Sequence, residues 1–87
     1  MTVRVKICGI TSREDAQLAV EAGADALGFI QVPGTPRYIA PNRVREIVAT
    51  LPPFVTPVLV FADRPATEVE SVAAECGAGV VQLHGDE

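Results

Sequence analysis

Short β-branched runs alternate with helical runs along the whole chain, and that alternation constrains the fold more than any other feature. Val3 to Cys8, Ala26 to Val32, Pro57 to Ala62 and Val80 to Gly85 are brief and apolar, as strands are. Between the first two, "TSREDAQLAVEAGAD" (Thr11 to Asp25) predicts a helix. Thr11 or Ser12 is its N-cap, Glu14 or Asp15 its capping-box acid and Gly23 its stop. Pro41 opens a second helix that runs to about Leu51 and is ended by Pro52-Pro53. A third starts at Pro65 or Ala66 and ends at Cys76-Gly77. Strands therefore begin near residues 3, 26, 57 and 80, and "EAGADALGF" and "ECGAGVVQL" mark a weak internal repeat. Strict βα alternation implies parallel strands joined by right-handed crossovers.

Two α/β architectures fit that pattern, a doubly wound open sheet and part of a (β/α)8 barrel. Side-chain parity separates them. In the first strand Val3, Val5 and Ile7 share one face, and Arg4, Lys6 and Cys8 share the other. In the fourth, Val81 and Leu83 oppose Gln82 and His84. A doubly wound sheet is covered on both faces and calls for continuous apolar runs. A barrel is polar inside, near the C-terminal ends of its strands, and apolar outside, where its helices pack. The expectation is a parallel βα repeat forming the first four strands of a (β/α)8 TIM barrel, a half-barrel in this chain.

Residues 1–87 are expected to form a single domain. A net charge of −4 argues against general nucleic-acid binding but leaves room for a small anionic substrate held by local cations. No apolar run approaches the roughly 18 residues of a membrane span, and a cytoplasmic protein is the default expectation. With no GxGxxG and no P-loop, no nucleotide cofactor is expected. Two cysteines, Cys8 and Cys76, and one histidine, His84, lack metal-ligand spacing. A Cys8–Cys76 disulfide is not expected either: opposite ends of a strand lie ~16 Å apart, against the ~7 Å that a disulfide tolerates.

Five residues are candidates for a site. A strand cysteine is ordinarily a small core hydrophobe. Cys8, however, ends its strand, shares a face with Lys6 and precedes a capped helix, and a cation and a helix N-terminus both favour the thiolate. Lys6 reads either as an edge-strand charge against aggregation or as a group that tunes this thiol. Arg37, on a loop with Pro33, Gly34 and Pro36, has the fork that grips a carboxylate. Gln82 and His84 line either a site or a satisfied core. Cys76, at a helix end, reads as structural, and Gly9 and Gly85 as turns after strand ends. Asp86 and Glu87 have only their position to suggest an acid.

"KICGIT" (Lys6 to Thr11), "ALGFI" followed by "PGTPRYIAP" (Ala26 to Pro41), and "VVQLHGDE" (Val80 to Glu87) resemble phosphoribosylanthranilate isomerase, a tryptophan-pathway barrel. The resemblance implies an Amadori rearrangement of an aminoaldose, N-(5-phosphoribosyl)anthranilate, to an aminoketose, with no cofactor. It gives Cys8 the role of general base at C2′ of the opened sugar, and Arg37 that of contacting the anthranilate end. The family's general acid and phosphate loops belong to the second half of the barrel and match nothing in these residues. An aromatic and a lysine are expected where this chain has Gln31-Val32 and Gly34, and serine where it has Thr35.

A base without an acid or a phosphate grip is incomplete, since acid–base groups contribute about 10² to 10⁴-fold each. Four strands also leave two open edges. Two readings follow: the base-carrying half of an isomerase, or a non-catalytic half-barrel module. The partners expected are the small phosphosugar-anthranilate substrate and a second half-barrel or a second copy of this chain, with no nucleic acid and no membrane. Isomerisation of the related histidine-pathway aminoaldose stays open.

Overall fold

The computed structural model describes residues 4–84. Within them β1 (Lys6–Cys8), α1 (Arg13–Glu21), β2 (Ala26–Ile30), α2 (Pro41–Val48), β3 (Thr56–Ala62), α3 (Ala66–Cys76) and β4 (Val80–His84) follow one another in the expected alternation. All pairings are parallel, and the strand order is β1-β2-β3-β4. Each strand is added beside its predecessor on the same side. A doubly wound sheet reverses direction at a switch point; this one does not, so it is laid out as a barrel wall.

Local chemistry sets the helix ends. The Ser12 hydroxyl accepts from the Asp15 N–H at 3.0 Å, which makes Ser12 the cap of α1. The expected capping-box acid turns elsewhere: Asp15 Oδ2 accepts from the Thr11 hydroxyl at 3.3 Å. Pro41 occupies the first turn of α2, where its missing N–H costs nothing. The helix proper ends at Val48, and the stretch to Leu51 continues only as tight turns, Thr50 N–H to Ile47 O and Leu51 N–H to Val48 O. Gly77 closes α3 in the left-handed region at φ 75°, which a residue with a Cβ rarely adopts.

The core lies between the sheet and the helices. Leu27, Phe29, Leu59 and Phe61 alternate along β2 and β3 and are at most 1% exposed. They cluster with Ala16 and Ala19 of α1, Val44 and Ile47 of α2, and Val69 and Cys76 of α3. Fully burying a side chain of this size contributes about 1.5–3 kcal/mol, so the two middle strands carry most of the packing.

Two expectations need correction. The first strand is shorter than the predicted Val3 to Cys8. Val5 donates its N–H to Asp25 Oδ2 at 2.8 Å, so a side-chain carboxylate stands where a ladder partner would, and the ladder starts at Lys6. Met1 to Val3 lie outside the described residues. The outer-face side chains of the edge strands are also not covered: Ile7 is 40% and Leu83 64% exposed, and Val5 and Val81 are exposed too. The core cluster joins residues of all three helices to side chains of β2 and β3, so the helices cover the middle of the four-stranded sheet and leave these flanking side chains open.

Candidate active site

Strand register collects the candidates on one face. Cys8, Gly28, Val58 and Val80 form a row across the sheet, with Lys6, Ala26 and Thr56 in a row below and Ile30, Val60 and Gln82 in a row above. Adjacent strands lie about 4.8 Å apart, so β1 and β4 would be about 14 Å apart in a flat sheet. Yet the Lys6 ammonium donates to the Gln82 side-chain oxygen. The sheet therefore curls, and Lys6 and Gln82 meet across its concave side. The expected link from Lys6 to the thiol takes a different form: the two share a face, but the hydrogen bond of Lys6 goes to Gln82.

Cys8 ends β1 and is exposed. A methyl group at Gly28 would sit 2.9 Å from the Cys8 sulfur and 3.2 Å from its Cα, so the thiol occupies room that only glycine leaves. The chain then turns away at Gly9, at φ 90°, and the Gly9 and Ile10 N–H groups both donate to the Gly28 carbonyl at 3.0 Å. The Gly9 carbonyl in turn accepts from Arg37 Nη1 at 3.3 Å. A Cβ on Gly9 would meet the Arg37 Cδ at 2.9 Å. The fold thus seats the arginine directly on the turn that follows the cysteine. A cavity of about 370 Å3 is lined by Cys8, Gly9, Arg37 and Asp15, with Ile7 and Leu18 along its apolar side.

His84 pairs with Ala62 in the register, and its side chain lies outside the described part of the structure. Gly85, Asp86 and Glu87 also lie outside the described residues. Cys76 is wholly buried, its thiol 3.7 Å from the Pro41 carbonyl. Burial and the neighbouring Glu75 carboxylate push that thiol up to about 11. Among the described residues no cluster of His, Cys, Asp or Glu is placed to hold a metal, and no helix is long and apolar enough to cross a membrane.

Sequence reasoning passed over two residues here. Gly28 carried a usable signal, a glycine inside a strand, which marks a close approach. Gln31 carried another, a lone amide at the end of an apolar run. It is buried, and its amide nitrogen donates to the Ile39 carbonyl at 2.7 Å and the Ile30 carbonyl at 3.1 Å.

A curled parallel wall with a thiol and a guanidinium at the C-terminal end of its first strand, and an ammonium and an amide meeting on its concave side, is the first half of a (β/α)8 enzyme barrel, whose chemistry sits at that end. The sequence model of the N-(5'-phosphoribosyl)anthranilate (PRA) isomerase family matches residues 5–87. The N-(5'-phosphoribosyl)anthranilate isomerase of Geobacter metallireducens is 58% identical over 85 residues, covering 98% of this chain and 42% of that protein. The crystal structure of the Thermus thermophilus enzyme superposes with a TM-score of 0.93 at 53% identity, over 98% of this chain and 42% of its own. Another phosphoribosyl anthranilate isomerase, solved in complex with reduced 1-(o-carboxyphenylamino)-1-deoxyribulose 5-phosphate, superposes at 0.94 with 50% identity, over 99% of this chain and 44% of its own. The chain belongs to the phosphoribosylanthranilate isomerase family, and it spans less than half the length of these relatives.

Proposed function

We propose that this chain supplies the base-carrying half of an isomerase that converts N-(5-phosphoribosyl)anthranilate to 1-(2-carboxyphenylamino)-1-deoxyribulose 5-phosphate in tryptophan biosynthesis, a cytoplasmic role. The observation that carries the reading is the seating of Arg37 on the turn directly after Cys8. In the reaction, an acid protonates the ring oxygen, the C1′–O bond breaks, and the nitrogen lone pair forms a protonated imine at C1′. The Cys8 thiolate then takes the C2′ proton. The C–H electron pair becomes the C1′–C2′ double bond, and the imine π pair returns to nitrogen. The resulting enolamine gains a proton at C1′ and loses one from the C2′ hydroxyl, which leaves the ketone. Arg37 holds the anthranilate carboxylate by a charge-assisted pair. Lys6 and Gln82 line the concave side, and His84 follows two residues beyond Gln82 along β4.

The acid and the phosphate grip come from a second set of βα units. The uncovered Ile7 and Leu83, on the two open edges of the sheet, support the need for such a complement. They equally support a second reading, a non-catalytic half-barrel that pairs with its own copy. One experiment separates the two: isomerisation of phosphoribosylanthranilate by this chain alone and mixed with a separately made C-terminal half, with Cys8→Ala as control. Activity that arises only in the mixture and disappears with Cys8→Ala is the expected result. An assembled but inactive mixture, with the chain alone a tight dimer, would favour the second reading.

A further inference from the structure

Arg37 sits in a segment that needs an anchor. The chain leaves β2 after Ile30, runs through Pro33, Gly34 and Pro36, and returns beside its starting point, where Tyr38 bridges to Ile30. Within the loop, short local turns hold the backbone, Thr35 N–H to Val32 O at 3.4 Å and Tyr38 N–H to Thr35 O at 3.2 Å, and a single backbone bond joins its two ends, Ile39 N–H to Ile30 O at 3.2 Å. Glycine and turns of this kind leave many conformers accessible, and a guanidinium on such a segment needs its base fixed if it is to stay over Gly9.

Gln31 supplies that fixing point. Its own backbone is part of the sheet, since its N–H donates to the Val60 carbonyl of β3 at 2.8 Å. It is 3% exposed, the buried polar side chain among the described residues. Its amide nitrogen spans the two legs of the loop, donating to Ile30 O on the outgoing leg and Ile39 O on the returning one. Both N–H groups of the side chain are thereby used inside the protein. Losing them would leave the Ile39 carbonyl short of a donor in a buried place, the expensive form of a lost hydrogen bond, while the Ile30 carbonyl would keep the Ile39 N–H.

We propose that Gln31 is a positioning residue that clamps the loop carrying Arg37 and so fixes the arginine over the Cys8–Gly9 turn. The part of this inference that concerns substrate rests on the function proposed above; the part that concerns the loop does not. Trypsin reads the loop directly, because cleavage of the Arg37–Tyr38 bond requires Tyr38 and Ile39 to leave their partners. Gln31→Met keeps the length of the side chain and removes both donors. It should speed cleavage at Arg37–Tyr38 about tenfold, the effect of a buried hydrogen bond lost, with cleavage after Arg43 and Arg45 in α2 unchanged. Gln31→Glu, equal in volume but with oxygens facing the two carbonyls, is the second variant and must release the loop as well. Unchanged cleavage in both variants, or equal acceleration at every site, would overturn the inference and make Gln31 an ordinary core residue.

In the active mixture with a C-terminal half, Gln31→Met should raise KM about tenfold with kcat nearly constant, the signature of lost binding rather than lost chemistry. Activity with an unchanged KM would also overturn the inference. A mixture that shows no isomerisation even with Gln31 in place counts against the proposed function alone, and the tryptic result then decides the role of Gln31.

Discussion

Cys8 ends a three-residue edge strand, is exposed, and has an open cavity beside it, whereas Cys76 ends α3, is wholly buried and leans on the Pro41 carbonyl. The side chains are identical. What differs is what the fold places next to each. Beside Cys8 stand a glycine that yields room, a turn that bends the chain away and an arginine seated on that turn. Cys76 belongs to the apolar cluster that also holds Val44, Ile47 and Val69, with the Glu75 carboxylate as its neighbour. A thiol acts as a base only when it can ionise and be reached. The contrast fits the chemistry proposed for Cys8 and a packing role for Cys76, and three measurements can break or sharpen it.

The largest effect should come from Cys8→Ala, which should lower the rate of the reconstituted enzyme by about 10² to 10⁴-fold, the usual contribution of a general base. Because Cys8 is exposed, the thermal midpoint of the chain should shift little, within about 0.5 kcal/mol of stability. A variant that kept its rate would move the base elsewhere and dissolve the contrast. Next in size is Gly28→Ala. The added methyl sits too near the thiol to be accommodated in place, so Cys8 must rotate or shift. A displacement of about 1 Å costs about 10²-fold in rate. A full rate with this variant would show that the thiol has no fixed seat.

The smallest effect belongs to Cys76 and is read as stability against pH. Burial raises the folded thiol from its ordinary 9.0 to about 11. The unfolded chain then releases its proton first as pH rises, so the support from this group is complete below about pH 9 and is lost between pH 9 and 11. The loss should approach about 3 kcal/mol in chemical denaturation, since each pKa unit is worth about 1.4 kcal/mol. Cys76→Ala should flatten that part of the profile. A profile with the same slope in the variant would mean that Cys76 ionises freely, and the two cysteines would then differ less than their burial suggests.

Much of this was legible in the chain because it is local. Ser12 as a cap, Pro41 as a helix start and Gly77 as a stop depend on neighbours a few residues away. The two faces of β1 and β4 follow from a period of two, and the pairing of Lys6 with Gln82 agrees with that parity. The resemblance in KICG, PRY and QLHG pointed to the family that the comparisons show. The parts that stayed hidden depend on distance through space. Nothing near Val5 in the sequence announces that Asp25 will take its N–H, and nothing near Ile7 or Leu83 says that no helix will cover them.

By itself, then, the sequence determined the alternation of parallel strands and helices and the inward side of β1 and β4 that carries Lys6, Cys8 and Gln82, because caps, breakers and parity act over a few residues. Its motifs singled out Cys8 and Arg37 as the residues to watch. Only the tertiary structure decided that Gly28 makes room for the thiol, that Arg37 rests on Gly9, that Lys6 reaches Gln82 rather than Cys8, and that Gln31 ties the two legs of a loop together. The first three of those contacts join segments 20 or more residues apart, where strand register and the curl of the sheet set which atoms meet, and the last closes a loop across 8 residues.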